Sequence, residues 1–103
     1  MKWGIGMDDI MNIAYRAKSN FIHRKVAKRD ILIPVADNVA NFNGFIELNE
    51  TAMFLWECLQ NPCTGNKLCE SIVEEYDVNP EKAAEDVRTL LTSYLDRKMI
   101  EEA

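Results

Sequence analysis

The chain has one histidine, four glycines, three prolines and three cysteines among its 103 residues, and each scarcity removes a class of function. His23 is the only imidazole and lies far in sequence from every cysteine, so a Cys–His nucleophile pair has no support. The glycines never form a phosphate-cradling pattern, which excludes the usual nucleotide loops. Cys58, Cys63 and Cys69 are odd in number, and their spacing fits no common zinc or iron–sulfur set. They read as buried or half-buried free thiols in a reducing compartment. No Asp-Ser-Leu attachment site of an acyl carrier is present. No apolar run approaches the ~18 residues of a membrane span. The opening stretch carries Asp8 and Asp9 among its apolar residues and lacks the continuous apolar centre of a signal peptide. A cytoplasmic location is expected. With no catalytic set, no metal set and no cofactor motif, the expectation is a binding module rather than an enzyme.

What is present is enough for one domain with a modest core, since 48% of the residues are hydrophobic. The formal net charge of -5 is unevenly spread. Residues 1–34 hold seven Lys/Arg and three Asp/Glu, a net of +4, and the remainder holds five and fourteen, a net of -9. An acidic half of this kind repels phosphate backbones, which argues against nucleic acid as a partner. Glu70, Glu74 and Glu75 read as a solvated helix face.

The order of elements is legible. Met7, Ile10, Met11 and Ala14 have helical spacing, which predicts a short helix over 8–18, with Asp8 and Asp9 at its positive end and Arg16 and Lys18 at its negative end. It reads as an N-terminal extension, residues 1–20, on a domain formed by 21–103. Residues 21–26 and 30–34 are rich in β-formers, and the four residues between Val26 and Ile31, Ala27 to Asp30, are short enough for a hairpin. Pro34 ends the second strand. Residues 36–43 read as a loop, and Gly44 to Leu48 as a third strand. Three helices follow. Asn49 caps the first, which buries Ala52, Leu55, Trp56 and Leu59 and stops at Asn61-Pro62. Thr64 caps the second, which buries Leu68, Cys69, Ile72, Val73 and Tyr76. Asn79-Pro80 opens the third, whose apolar face is Ala83, Ala84, Val87, Leu90, Leu91, Tyr94 and Leu95. Met99-Ile100 tucks the tail back. Strands followed by helices predict an α+β fold, winged-helix-like, with a three-stranded antiparallel sheet covered on one face by helices.

Asn43-Gly44-Phe45-Ile46-Glu47-Leu48-Asn49-Glu50-Thr51-Ala52, followed by Phe54-Leu55-Trp56-Glu57, resembles the PqqD-like family. Ile31 to Pro34, Glu74 to Glu81 and Leu95 to Ile100 are similar to further segments of that family in the same order, so the resemblance spans about residues 21–101. It implies a recognition element for ribosomally made, post-translationally modified peptides (RiPPs). Such a module does no chemistry. It holds the leader segment of a precursor beside a modifying enzyme, commonly of the radical-SAM kind, and needs no cofactor. The leader is implied to add itself as a strand along Gly44, Phe45, Ile46, Glu47 and Leu48 and to lie against the third helix, at Ala84, Val87, Arg88, Leu91 and Tyr94. Phe45 and Glu47 share one strand face and Ile46 and Leu48 the other; the sequence leaves open which pair faces the core. The apolar members of both sets also fit an ordinary core.

Three other readings stand beside this one. A winged-helix DNA binder would share the shape but not the charge. A structural or regulatory subunit would join a peptide-modifying complex without touching the leader. An open strand edge would also allow a homodimer by edge pairing or swapping.

Overall fold

The computed structural model describes residues 10–35 and 44–103. After helical residues 10–12, the elements follow in the order β1 (Ala14–Ala17), β2 (Phe21–Val26), β3 (Arg29–Pro34), β4 (Ile46–Leu48), α1 (Glu50–Cys58), β5 (Cys63–Thr64), α2 (Gly65–Tyr76), α3 (Pro80–Asp96) and β6 (Ile100–Glu102). The α+β expectation holds. A three-stranded antiparallel sheet in the order β2-β3-β4 is covered on one face by the helices. The expected loop over 36–43 and the residues before Ile10 lie outside the described residues.

Each helix starts where a side chain can satisfy the free backbone N–H groups of its first turn. Asn49 accepts from the Ala52 amide at 2.8 Å, and Thr64 accepts from the Lys67 amide at 3.1 Å. Asn79 accepts from Glu81 at 2.7 Å and from Lys82 at 3.3 Å, with Pro80 at the first helical position. α2 ends on Asp77 in the left-handed conformation, its amide bonded to the Val73 carbonyl at 3.0 Å. The buried stripes of α1 (Ala52, Met53, Leu55, Trp56), α2 (Leu68, Ile72) and α3 (Ala83, Val87, Leu91, Tyr94) meet Leu32, Ile46 and Leu48 from the sheet in one core. Phe21, Trp56 and Tyr94 stack edge to face, with centroids 5.6 and 5.7 Å apart, and tie β2 to α1 and α1 to α3.

Two expectations need correction. The helix read over 8–18 stops at Asn12; residues 14–17 are β1 instead. β1 is the middle strand of a second sheet, β5-β1-β6, in which Tyr15 pairs with both Cys63 and Glu102. Ala17 and Lys18 donate to the carbonyls of Leu59 and Met99, at 2.7 and 2.9 Å. Arg16 therefore faces Glu101 across a strand pair, at 3.0 Å, rather than a helix end. Met11 and Tyr15 are buried in the core, so this segment is integral to the domain rather than appended to it. So short an apolar run carries too little period to separate helix from strand; the two open edges of β5 and β6 decide it. Gly65 marks the close approach, since a Cβ there would stand 2.8 Å from the Met11 Cα.

The hairpin turn is also tighter than read. Val26 pairs with Arg29, leaving only Ala27 and Lys28 in the loop. Both have positive φ, 50° and 70°, the signature of the mirror-image turns that match strand twist. Neither is glycine or asparagine, so each holds this conformation against its Cβ. Lys28→Gly is expected to stabilise the domain by ~0.5–1 kcal/mol and to raise Tm by roughly 2–6 °C in a thermal melt, the relief of strain exceeding the added chain entropy.

Candidate functional site

The site begins at β4. β3 occupies one of its edges, in the register Asp30–Leu48, Ile31–Glu47, Leu32–Ile46. Among the described residues no strand pairs with the other edge. In an antiparallel ladder, alternate residues of an edge strand turn N–H and C=O outward, so this edge offers donors and acceptors to a further strand. Gly44 leads into it at φ +90°, a backbone that only glycine adopts readily. The strand has a definite sense. Ile46 and Leu48 point into the core, each 7% exposed, while Phe45 and Glu47 point outward. The face question left open by the sequence is answered.

Directly after β4 the chain enters α1, and a groove of about 390 Å³ opens between the start of α1 and α3. Asn49, Thr51, Ala52 and Leu55 form one bank; Lys82, Glu85, Asp86, Thr89 and Leu90 form the other. The Lys82 ammonium lies 3.0 Å from Asp86, one turn along the helix, and this bond raises the lysine's affinity for its proton. Glu85 stands exposed on the same bank and figures in no ion pair among the described residues. The floor is rigid: the buried Tyr94 hydroxyl donates to the Ala52 carbonyl at 3.0 Å, and burial raises the phenol far above its ordinary pKa, so it stays a donor. The arrangement offers an extended chain main-chain bonds at β4 and a mixed apolar and polar trough beside it.

This geometry redistributes the helix residues named from sequence. Val87, Leu91 and Tyr94 are at most 2% exposed and belong to the core, so they cannot line a groove without repacking it. Ala84 and Arg88 lie on the flank of α3 that faces α2: Arg88 is close enough to Cys69 to pull its thiol pKa down against the dominant effect of burial. The Arg88 Nε is buried with no hydrogen-bond partner among the described residues. The open flank is the other one, Lys82, Asp86 and Leu90. A buried stripe has two flanks, one residue before it and one after, and sequence periodicity marks the stripe without telling which flank faces α1.

Elsewhere, His23 bonds to Asp30 at 2.9 Å, and this bond, with Lys25 beside it, holds the carboxyl below its ordinary pKa. Its partner is thus a carboxylate on the neighbouring strand. The three cysteines are free and half-buried, and burial raises each thiol above its usual pKa. No helix among the described residues is long and apolar enough to cross a membrane.

The family model for coenzyme PQQ synthesis protein D (PqqD) matches residues 24–100. Three solved structures share the fold, each with a TM-score of 0.66. A lasso peptide synthetase B1 complexed with its leader peptide is 20% identical, over 84% of this chain and 96% of that one. TbiB1 in complex with the TbiA(beta) leader peptide is 14% identical, over 84% and 94%. The PqqD truncation of Methylobacterium extorquens PqqCD, a stand-alone RiPP recognition element, is 14% identical, over 86% and 89%. No curated protein sequence matches significantly.

Proposed function

The chain belongs to the PqqD family, and from that membership we propose that it is a non-catalytic module that captures the leader segment of a ribosomally made precursor peptide. The leader adds as a strand to the outer edge of β4 and runs into the groove between α1 and α3. One observation carries this reading: the edge of β4, Ile46 to Leu48, which no strand pairs among the described residues, leads directly into an open trough bounded by Lys82, Asp86 and Leu90. Strand addition explains how a family can bind leaders of differing sequence, because main-chain bonds supply affinity and pockets supply selection. Val87, Leu91 and Tyr94 act beneath the groove as its support, and Ala84 and Arg88 lie away from the guest. The bound peptide is presented to a modifying enzyme, of the radical-SAM kind common in this family, and the module works in the cytoplasm.

The test is a titration of isotope-labelled chain with a synthetic leader from the precursor encoded beside it. Amide shifts are expected at residues 44–49 and 82–90. Methylating the leader's backbone nitrogens at alternate positions is expected to weaken binding at least tenfold in one register and little in the other, since only every second amide faces β4. Shifts confined to α2, or equal loss in both registers, would refute strand addition at this edge.

A further inference from the structure

The sheet β2-β3-β4 has two outer strands, and their edges are built differently. β2 carries the exposed Arg24 and Lys25 between Ile22 and Val26, and long cations on an edge discourage strand addition. Beside β4 stands Phe45, the most exposed large apolar side chain among the described residues, at 58%. The one charged residue of β4, Glu47, lies 3.6 Å from Arg29 of the neighbouring strand. The β4 edge is therefore poorly defended and carries a ring that water surrounds. The register explains where that ring lies. Leu32 pairs with Ile46, and the same register one residue further sets Ile33 opposite Phe45. Ile33 pairs in turn with Ile22. Side chains two apart share a face. An apolar row, Ile22–Ile33–Phe45, thus crosses the face turned away from the helices and stops at the open edge. The alternate set, Leu32, Ile46 and Leu48, is in the core.

A guest strand on the β4 edge lies ~4.8 Å away, and its side chains alternate between the two faces. Those turned inward reach the trough between α1 and α3. Those turned outward continue the rows of the outer face. The outward residue paired with position 45 comes to rest against the open side of the Phe45 ring. A large apolar side chain there covers the ring and extends the row by one strand, and aromatic–aliphatic and aromatic–aromatic cross-strand pairs are among the favourable ones. A carboxylate there loses water to the ring and gains no partner from it. We infer that Phe45 is a specificity-determining residue, which demands a large aliphatic or aromatic side chain at the one guest position that pairs with it on the outer face. The inference rests on the strand capture proposed above and deepens it. The guest is read from both sides: by the trough on its inner face and by Phe45 on its outer face. The outward neighbour two residues along meets Glu47, which Arg29 already engages, so the selection on this face falls on Phe45.

Random peptides displayed on phage and panned against the full chain supply the guests. Those whose synthetic copies shift the amides of residues 44–48 are taken forward. One position of the enriched sequences is expected to hold a large aliphatic or aromatic residue, and its replacement by Asp is expected to lower affinity about tenfold or more in fluorescence anisotropy. Phe45→Lys is expected to reverse that order, with the Asp peptide the tighter binder, because the lysine offers a cation where the ring offered carbon. Its circular dichroism is expected to match the parent's, since the side chain is exposed. Leu90→Asp, in the trough, is expected to weaken both peptides and to keep their order, since the two readings lie on opposite faces of the guest. An apolar preference that survives Phe45→Lys by the same factor, or that Leu90→Asp alone removes, overturns the inference and places the selective position in the trough, with strand capture intact. Enriched peptides that leave residues 44–48 unshifted overturn capture at this edge, and the role of Phe45 with it.

Discussion

Deletion of residues 1–19 is expected to leave a chain with no cooperative unfolding transition, or with one displaced to far lower urea. The deletion removes β1, the middle strand bonded to both β5 and β6, and with it the buried Met11 and Tyr15 side chains. Full burial of each is worth about 1.5–3 kcal/mol, so the apolar loss alone is ~3–6 kcal/mol. A domain of this size is stable by only ~5–15 kcal/mol. β5 and β6 also lose the strand that satisfies their backbone groups. Tyr15→Ala isolates one part of the effect and is expected to cost about 3 kcal/mol in the same measurement. An unchanged urea midpoint for the deleted chain would show that the segment is dispensable and that its burial contributes nothing.

Adjacent substitutions on α3 separate the core from the groove. Leu91→Asp is expected to unfold the domain: the side chain is 1% exposed and packed among apolar neighbours, and an unpaired carboxylate there costs several kcal/mol even after it takes up a proton. Leu90→Asp, one residue earlier, falls on the half-exposed bank of the groove. It is expected to keep the far-UV spectrum and to lower leader affinity by roughly tenfold or more, through lost apolar contact and a third acidic group beside Glu85 and Asp86. Glu74→Lys, on the exposed face of α2, serves as the control and is expected to change neither. Binding measured by fluorescence anisotropy, with urea unfolding run on the same samples, distinguishes these outcomes. Equal leader affinity for Leu90→Asp and the parent chain would remove the groove from the binding site.

Much of the fold was legible because its punctuation is local. Asn49, Thr64 and Asn79-Pro80 each satisfy amides two or three residues away, so their meaning does not depend on what packs nearby. The same holds for the helix stripes, which repeat at a fixed angle. The hairpin was legible as to existence but not length: Ala27 and Lys28 carry no turn signal, and their positive φ is imposed by the pairing of Val26 with Arg29. β1 was misread because a strand's identity lies in its neighbours, and those of β1 stand some fifty and eighty-five residues further along the chain, at Cys63 and Glu102.

The candidate site divides along the same line. Sequence alone determined that a short strand ending at Leu48 enters a capped helix (Ile46 to Leu48, two residues shorter than the Gly44 to Leu48 expected), that α3 carries one apolar stripe, and which family pattern these segments resemble, because each depends on residues within a few positions of one another. Only the tertiary structure decided that Ile46 and Leu48 face inward, that β4 lies at the sheet's edge, and that α3 turns Lys82, Asp86 and Leu90 toward α1 rather than Ala84 and Arg88. Those outcomes depend on how the helices rotate and the strands order when one shared core closes, and contacts between segments distant in the chain fix that packing.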